Sequence, residues 1–205
     1  MIVKVYPENP NPKAIAEIVD VISDGGVVVY PTDTVYSFGC SIYKPKAIER
    51  IAQIKGLNAK KHRFSFIFEN ISNITQFTKS VDNKVFKILK KNLPGPFTFV
   101  LEANTEMPKH IRMGSSTIGV RIPENNIPLE IVKLLGEPII STSVYDEDEL
   151  IEYTTDPELI AEKYQNVVDL VVDGGFGNVF ASTIVDCTNS DEPVILRKGL
   201  GELQL

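Results

Sequence analysis

Short apolar runs rich in Val, Ile and Phe recur along this chain. Over its first two thirds they alternate with segments whose apolar residues fall at helical spacing. Few folds accept that alternation: helices must return across the faces of a sheet that contains parallel strands. The pattern predicts strands over 2–6, 27–30, 64–68, 97–101, 117–122, 138–142, 167–172, 182–187 and 194–197. Helices are predicted from Asn11-Pro12 to a stop at Gly25, from Pro45 to Lys55-Gly56, over 83–93 and 128–135, and from Asp156-Pro157 to Tyr164. The starts carry Asx caps or proline at the first turn, and glycine closes several ends. Strands gather toward the C-terminus, so the expected architecture is α/β: a twisted mixed sheet with flanking helices, one domain over residues 1–205.

The stretch GGVVVYPTDTVYSFGC, residues 25–40, begins as a buried strand and then sets Pro31, Thr32, Asp33 and Thr34 where the apolar run would continue. Two accounts fit. Proline and side chains that bond back to the backbone make a turn, and strand ends of open α/β sheets are also where ligands bind. Similar polar groups sit at other strand ends. Thr117 and Arg121 share one face of their strand; Ser141, Thr142 and Ser143 follow the apolar residues at 138–140; Ser182 and Thr183 enter a strand that Arg197 and Lys198 close in the next. Hydroxyls with paired-donor arginines suit an anionic small molecule.

No G-x-G-x-x-G follows the first strand, and no G-x-x-x-x-G-K-[ST] occurs. His62 and His110 have no triad-like neighbours, and Cys40 and Cys187 sit in apolar, strand-like contexts as expected of reduced thiols. No cysteine or histidine cluster has metal-ligand spacing, and no protein-held metal is expected. Asp146, Glu147, Asp148 and Glu149, with Glu152 beyond, read as a solvated loop or a weak Mg²⁺ collector. Neither a signal pattern nor a bilayer-spanning apolar run is present, which points to the cytoplasm and away from membranes. The net charge is −6, yet residues 44–121 hold 15 Lys and Arg against 5 Asp and Glu. That asymmetry predicts a basic face on an acidic body.

The strings PTDTVYSFG, IKG before a basic segment, LPGPFTFVLE, TIGVRIP, LGEPIISTS, VDLVVDGG, STIVDCT and ILRKG, in this order, resemble the YrdC/YciO family, which includes the threonylcarbamoyl-AMP synthases. The resemblance covers nearly the whole chain. It implies a twisted α/β sheet with a concave, positively charged face. The activity it implies converts L-threonine, bicarbonate and ATP, with Mg²⁺ as counter-ion, into threonylcarbamoyl-AMP and pyrophosphate for t6A modification of tRNA by other proteins. Double-stranded RNA binding is also implied.

Carried onto this sequence, the resemblance puts Thr32, Thr34, Tyr36, Arg121 and Ser182 around threonine, and Lys55, Thr117, Ser143 and Arg197 around the nucleotide. The synthase pattern pairs K-x-R with S-x-N. Here the two read Lys55-Gly56-Leu57 and Ser143-Val144-Tyr145, which lack the arginine and the asparagine and lean toward the YciO branch. Lys61 and Arg63, with Lys60, are candidates to replace the lost charge. The alternative expectation is a double-stranded RNA- or nucleotide-binding protein with weakened or lost synthase activity.

Overall fold

The computed structural model describes residues 1–57, 64–112, 115–144 and 152–205. Its centre is a ten-stranded mixed sheet. In chain order the elements are β1 (Ile2–Lys4), α1 (Pro12–Ser23), β2 (Val28–Tyr30), β3 (Ser37–Gly39), α2 (Pro45–Ile54), β4 (Ser65–Ile67), α3 (Ile71–Phe77), α4 (Asn83–Asn92) and β5 (Phe97–Glu102). There follow α5 (Lys109–Arg112), β6 (Thr117–Arg121), α6 (Asn126–Leu135), β7 (Ile139–Ser143), α7 (Glu152–Thr155), α8 (Pro157–Tyr164), β8 (Leu170–Asp173), β9 (Thr183–Asp186) and β10 (Val194–Arg197). The spatial order is β1-β8-β2-β3-β7-β4-β6-β5-β9-β10. Pairings β1–β8, β2–β8, β4–β6 and β5–β9 are parallel and the others antiparallel.

Strand alternation divides the apolar residues between two cores. On one face Val29, Phe38, Phe66, Phe99, Val120, Ile140, Val171 and Val185 pack with α2, α3, α4 and α8, which contribute Ile51, Ile74, Leu89 and Ile160. On the other face Val28, Tyr30, Ile67, Ile139, Leu170 and Val172 pack against Ile18 and Ile22 of α1 and Ile127 and Ile131 of α6. Those two helices cover only part of their face. The rest, across β4 to β10, carries small or polar residues such as Ser65, Thr98, Thr117 and Gly119, with the apolar Val100, Ile184 and Leu196 among them.

Local chemistry sets the helix ends. Asn11, Asn70, Asp82, Asn125 and Asp156 each accept a backbone N–H at an N-terminus. Gly136 closes α6 with φ 75°, which only glycine adopts without strain. The helix predicted from 128 begins at Asn126, because the Asn125 cap fixes the first turn upstream of Pro128. Four short elements, β3, α3, α5 and α7, add to the expected set. The acidic run 146–149 and Lys60, Lys61, His62, Arg63 and Tyr145 lie outside the described residues.

Candidate functional site

The half-covered face encloses a cavity of about 560 Å³, a size suited to a nucleotide-sized ligand. Its floor follows from strand register. Ser141 of β7 stands opposite Ser65 of β4, Ser65 opposite Gly119 of β6, Gly119 opposite Val100 of β5, and Val100 opposite Asp186 of β9. Every one of these lines the cavity. The same strands carry Phe66, Val120, Phe99 and Val185 on the reverse face, where helices cover them. Small residues therefore stand where a third layer would otherwise need apolar bulk. At Gly119 a Cβ would lie 3.0 Å from Cγ2 of Thr98 and 3.4 Å from Cβ of Ser65, so larger side chains fill the cavity from below.

Of the eleven residues singled out from sequence, seven line this cavity: Thr34, Lys55, Thr117, Arg121, Ser143, Ser182 and Arg197. Residues more than 100 positions apart thus meet on one surface. Thr32 and Tyr36 stand behind the wall, while Lys61 and Arg63 fall outside the described residues. The sequence reading missed Ser65, Thr98, Gly119 and Asp186 as site residues. Gly119 had a signal, since Thr117, Gly119 and Arg121 alternate with the apolar Ile118 and Val120 of β6, whereas Thr98 and Asp186 share their face with the apolar Val100 and Ile184.

The insertion at 31–34 makes a turn and a wall at once. The Thr32 hydroxyl donates to the Val35 carbonyl at 2.8 Å, and its oxygen accepts the Thr34 N–H at 3.0 Å. With its proton so used, Thr32 Oγ1 also accepts from the Thr34 hydroxyl at 3.0 Å. Thr34 Oγ1 in turn accepts from Arg121 Nη2 at 3.0 Å. A directed chain runs from guanidinium to Thr34, Thr32 and a backbone carbonyl, each bond polarising the next.

Arg121 ends β6 and is only 4% exposed. Its Nη2 also donates to Asp33 Oδ1 at 3.0 Å, in an ion pair shielded from water on both sides. Asp33 Oδ2 accepts the Glu124 N–H. Burial raises the Asp33 carboxyl above its ordinary value, against the downward pull of Arg121 and of the Glu124 amide. Arg121 Nε, although buried, has no hydrogen-bond partner. A buried guanidinium N–H without an acceptor is costly.

A second arginine reaches the cavity through an irregularity. Ile195 of β10 pairs with Val185, but Arg197 pairs with Ile184, so Leu196 is the extra residue of a bulge. Strict alternation would set Arg197 opposite to Val194; the bulge returns it to the cavity face beside Leu196. Its Nε and Nη2 donate to the Ser182 carbonyl at 3.2 and 2.8 Å. Ser182 Oγ lies 2.9 Å from Thr98 Oγ1. Burial lowers the Arg197 pKa, and the charge of Arg121 lowers it further. Both arginines line the same cavity, so an anion held there meets two positive charges.

Tyr36 acts elsewhere. Its hydroxyl donates to the Gly175 carbonyl at 2.6 Å and accepts the Gly174 N–H at 3.1 Å. Burial pushes this phenol well above its ordinary pKa. With the Asn178 N–H bonded to the Thr34 carbonyl, Tyr36 clasps the 174–178 loop to the back of the wall. Leu57, where the synthase pattern has arginine, also lines the cavity and packs on the core. His110 Nε2 lies 2.8 Å from the Ile42 carbonyl, and it is absent from the cavity lining. Cys40 and Cys187 are free and buried. No cluster of three metal-ligating side chains occurs among the described residues. No described helix is long and apolar enough to cross a membrane.

Comparison with known proteins agrees in sequence and in shape. A family model for Sua5, YciO and YrdC, described as telomere recombination, matches residues 20–199. The chain is 36% identical over 202 residues to the uncharacterized protein YciO of Escherichia coli K12, covering 98% of this chain and 96% of that one. The E. coli YciO crystal structure superimposes with a TM-score of 0.90 over 98% of this chain and 97% of that one. More distantly, it is 29% identical over 179 residues to a threonylcarbamoyl-AMP synthase of Pyrococcus abyssi, spanning 87% of this chain and about half (52%) of that protein. The P. abyssi Sua5 structure complexed with L-threonine gives a TM-score of 0.85 at 27% identity, over 97% of this chain and 57% of that one.

Proposed function

This chain belongs to the Sua5/YciO/YrdC family, and on that premise we propose that its cavity binds ATP with an amino-acid-derived carboxylate and forms an acyl adenylate of the threonylcarbamoyl-AMP kind. The carrying observation is Arg121: a buried guanidinium on a cavity wall, braced by Asp33 and Thr34, with its Nε–H unsatisfied. The threonine carboxylate is the group proposed to pair with this guanidinium. Thr34 and Ser182 flank it, Thr32 holds Thr34 from behind, and Tyr36 holds the loop behind both. Lys55, Thr117, Ser143 and Arg197 are proposed for the nucleotide, with Mg²⁺ entering as the counter-ion of ATP.

The reaction joins the amino group of threonine to bicarbonate, with loss of water, to give a carbamate. A carbamate oxygen attacks the α-phosphorus of ATP, the new P–O bond forms, and the bond to pyrophosphate breaks. Charge builds on the α-phosphoryl oxygens and the leaving group, where the cations of the wall stabilise it. No side chain needs to accept a proton from the attacking carbamate oxygen, in keeping with a cavity rich in hydroxyls and cations rather than bases.

Leu57 favours a second reading, nucleotide binding with slowed or lost turnover. Its side chain adds apolar surface where the synthase pattern supplies a guanidinium. Double-stranded RNA is the macromolecular ligand of that reading, held by the basic segment 44–121. The deciding experiment incubates purified protein with α-labelled ATP, bicarbonate and each amino acid, then separates adenylated products. A threonine- and bicarbonate-dependent AMP ester supports the first reading. ATP binding without pyrophosphate release, with RNA affinity that falls steeply with salt, supports the second. Failure to bind ATP at all refutes both.

A further inference from the structure

Strand β10 ends the sheet, and β9 is its only strand partner among the described residues. All four of its residues are exposed, with Val194, Ile195 and Leu196 at 48%, 49% and 58%. Leu200 and Phe180 are exposed beside it, joined through the Leu200 N–H to the Ala181 carbonyl. The opposite edge looks different. β1 is three residues long, and its Lys4 pairs with Asp173. An edge with apolar residues on both faces and open backbone groups is a template for another strand.

Charge points to which strand. The segment reads Glu192-Pro193-Val194-Ile195-Leu196-Arg197-Lys198, acidic before Ile195 and basic after it. Such a sequence complements itself when turned end for end. Antiparallel pairing about Ile195 brings the acidic end of one copy, Glu192, to the basic end of the other, Arg197 and Lys198, twice by symmetry. Asp191 takes no part, because it already pairs with Lys84. We propose that β10 is a homodimer edge, where two copies join their sheets antiparallel across a two-fold axis at Ile195.

Two features stop this edge from recruiting further chains. Pro193 has no N–H for a longer ladder, and the bulge at Leu196 twists the strand. A two-fold contact also uses up its own surface, so assembly ends at two copies. Because Leu196 and Arg197 line the cavity, the second copy lies along the cavity margin. The inference does not depend on which ligand that cavity takes.

Sedimentation of the whole chain up to about 100 µM tests it, as a micromolar dimer is populated there. The wild type is expected to dimerise. Glu192→Lys and Lys198→Glu each set like charges together twice and are expected to weaken the dimer about tenfold. The double exchange is expected to restore it, which a merely misfolded variant cannot do. Ile195→Asp is expected to give a monomer with unchanged far-ultraviolet circular dichroism. A wild type that stays monomeric over the whole range overturns the proposal, as does a dimer indifferent to both single exchanges and to Ile195→Asp.

Discussion

Replacing Arg121 with methionine isolates what its buried ion pair does. The guanidinium and the Asp33 carboxylate are 5% and 8% exposed, so water screens neither. Removing one partner of such a pair leaves an uncompensated charge and costs about 3–5 kcal/mol. For a chain of this size that lowers Tm by roughly 6–20 °C. The deficit should depend on pH, and its sign follows from Asp33. Burial already raises the folded pKa above the unfolded value, while Arg121 restrains the rise. An acid shifted upward contributes most to stability below its unfolded pKa, and that share is lost as pH rises through the folded pKa. Without Arg121 the folded pKa climbs further, so Asp33 takes up a proton at a higher pH in the variant than in the parent. The deficit is therefore largest near neutrality and shrinks on acidification, by up to about 1.4 kcal/mol for each pH unit between the two folded values. Urea unfolding at several pH values, followed by circular dichroism because the chain has no Trp, measures it. Adding Asp33→Asn should recover much of the loss at neutral pH. A deficit constant with pH, or one that Asp33→Asn leaves untouched, would show that the pair is not what holds this wall.

Other consequences follow from the same geometry. Arg197→Met should cost little stability, since its donors meet only the carbonyl and hydroxyl of Ser182 at the edge, yet it should abolish the Tm rise expected with ATP, which for the parent at about 100 times Kd is worth roughly 2.7 kcal/mol. Gly119→Leu should weaken ATP binding at least about tenfold while the far-ultraviolet spectrum stays unchanged, because the added bulk enters a cavity rather than a core. Tyr36→Phe should destabilise by about 1–3 kcal/mol through the unpaired Gly174 and Gly175 groups, measured by urea unfolding. Burial lifts the Cys187 thiol to about 12 and the Cys40 thiol higher, so a thiol reagent at pH 8 should label neither until urea is added.

Much of this arrangement was legible in the sequence, and the exceptions share a cause. Val27–Tyr30 and Phe97–Leu101 announced themselves because their side chains satisfy burial with no help from distant partners. Ser37-Phe38-Gly39 offers one apolar residue and a glycine, and is a strand only because β2 and β7 flank it. The stretch 71–77 is poor in strong helix formers, yet the Asn70 cap and the burial of Ile74 against the sheet make it α3. At the site, Thr34, Arg121 and Ser182 stood out as polar interruptions at strand ends. Ser65 and Thr98 did not, since a lone hydroxyl inside a strand has no local sign of facing a cavity. That information lies in the register between strands distant in sequence.

The division of labour across the sheet explains how one small domain face can change chemistry without losing its fold. β4, β5, β6 and β9 keep Phe66, Phe99, Val120 and Val185 on the helix-covered face, and there each substitution is felt as lost packing. Their alternate positions, Ser65, Thr98, Gly119 and Asp186, bear almost none of that burden, because no layer packs on them. Leu57 illustrates the freedom on the rim. It joins the core with part of its surface and the cavity with the rest, so exchanging it with arginine alters the charge that a ligand meets while the strands beneath stay as they are. Leu57→Arg should then leave Tm within a few degrees of the parent and strengthen ATP binding through an added cation. Unchanged ATP affinity in a folded Leu57→Arg protein would mean that the nucleotide's phosphates lie elsewhere in the cavity, and the roles given to Lys55 and Ser143 would fall with it.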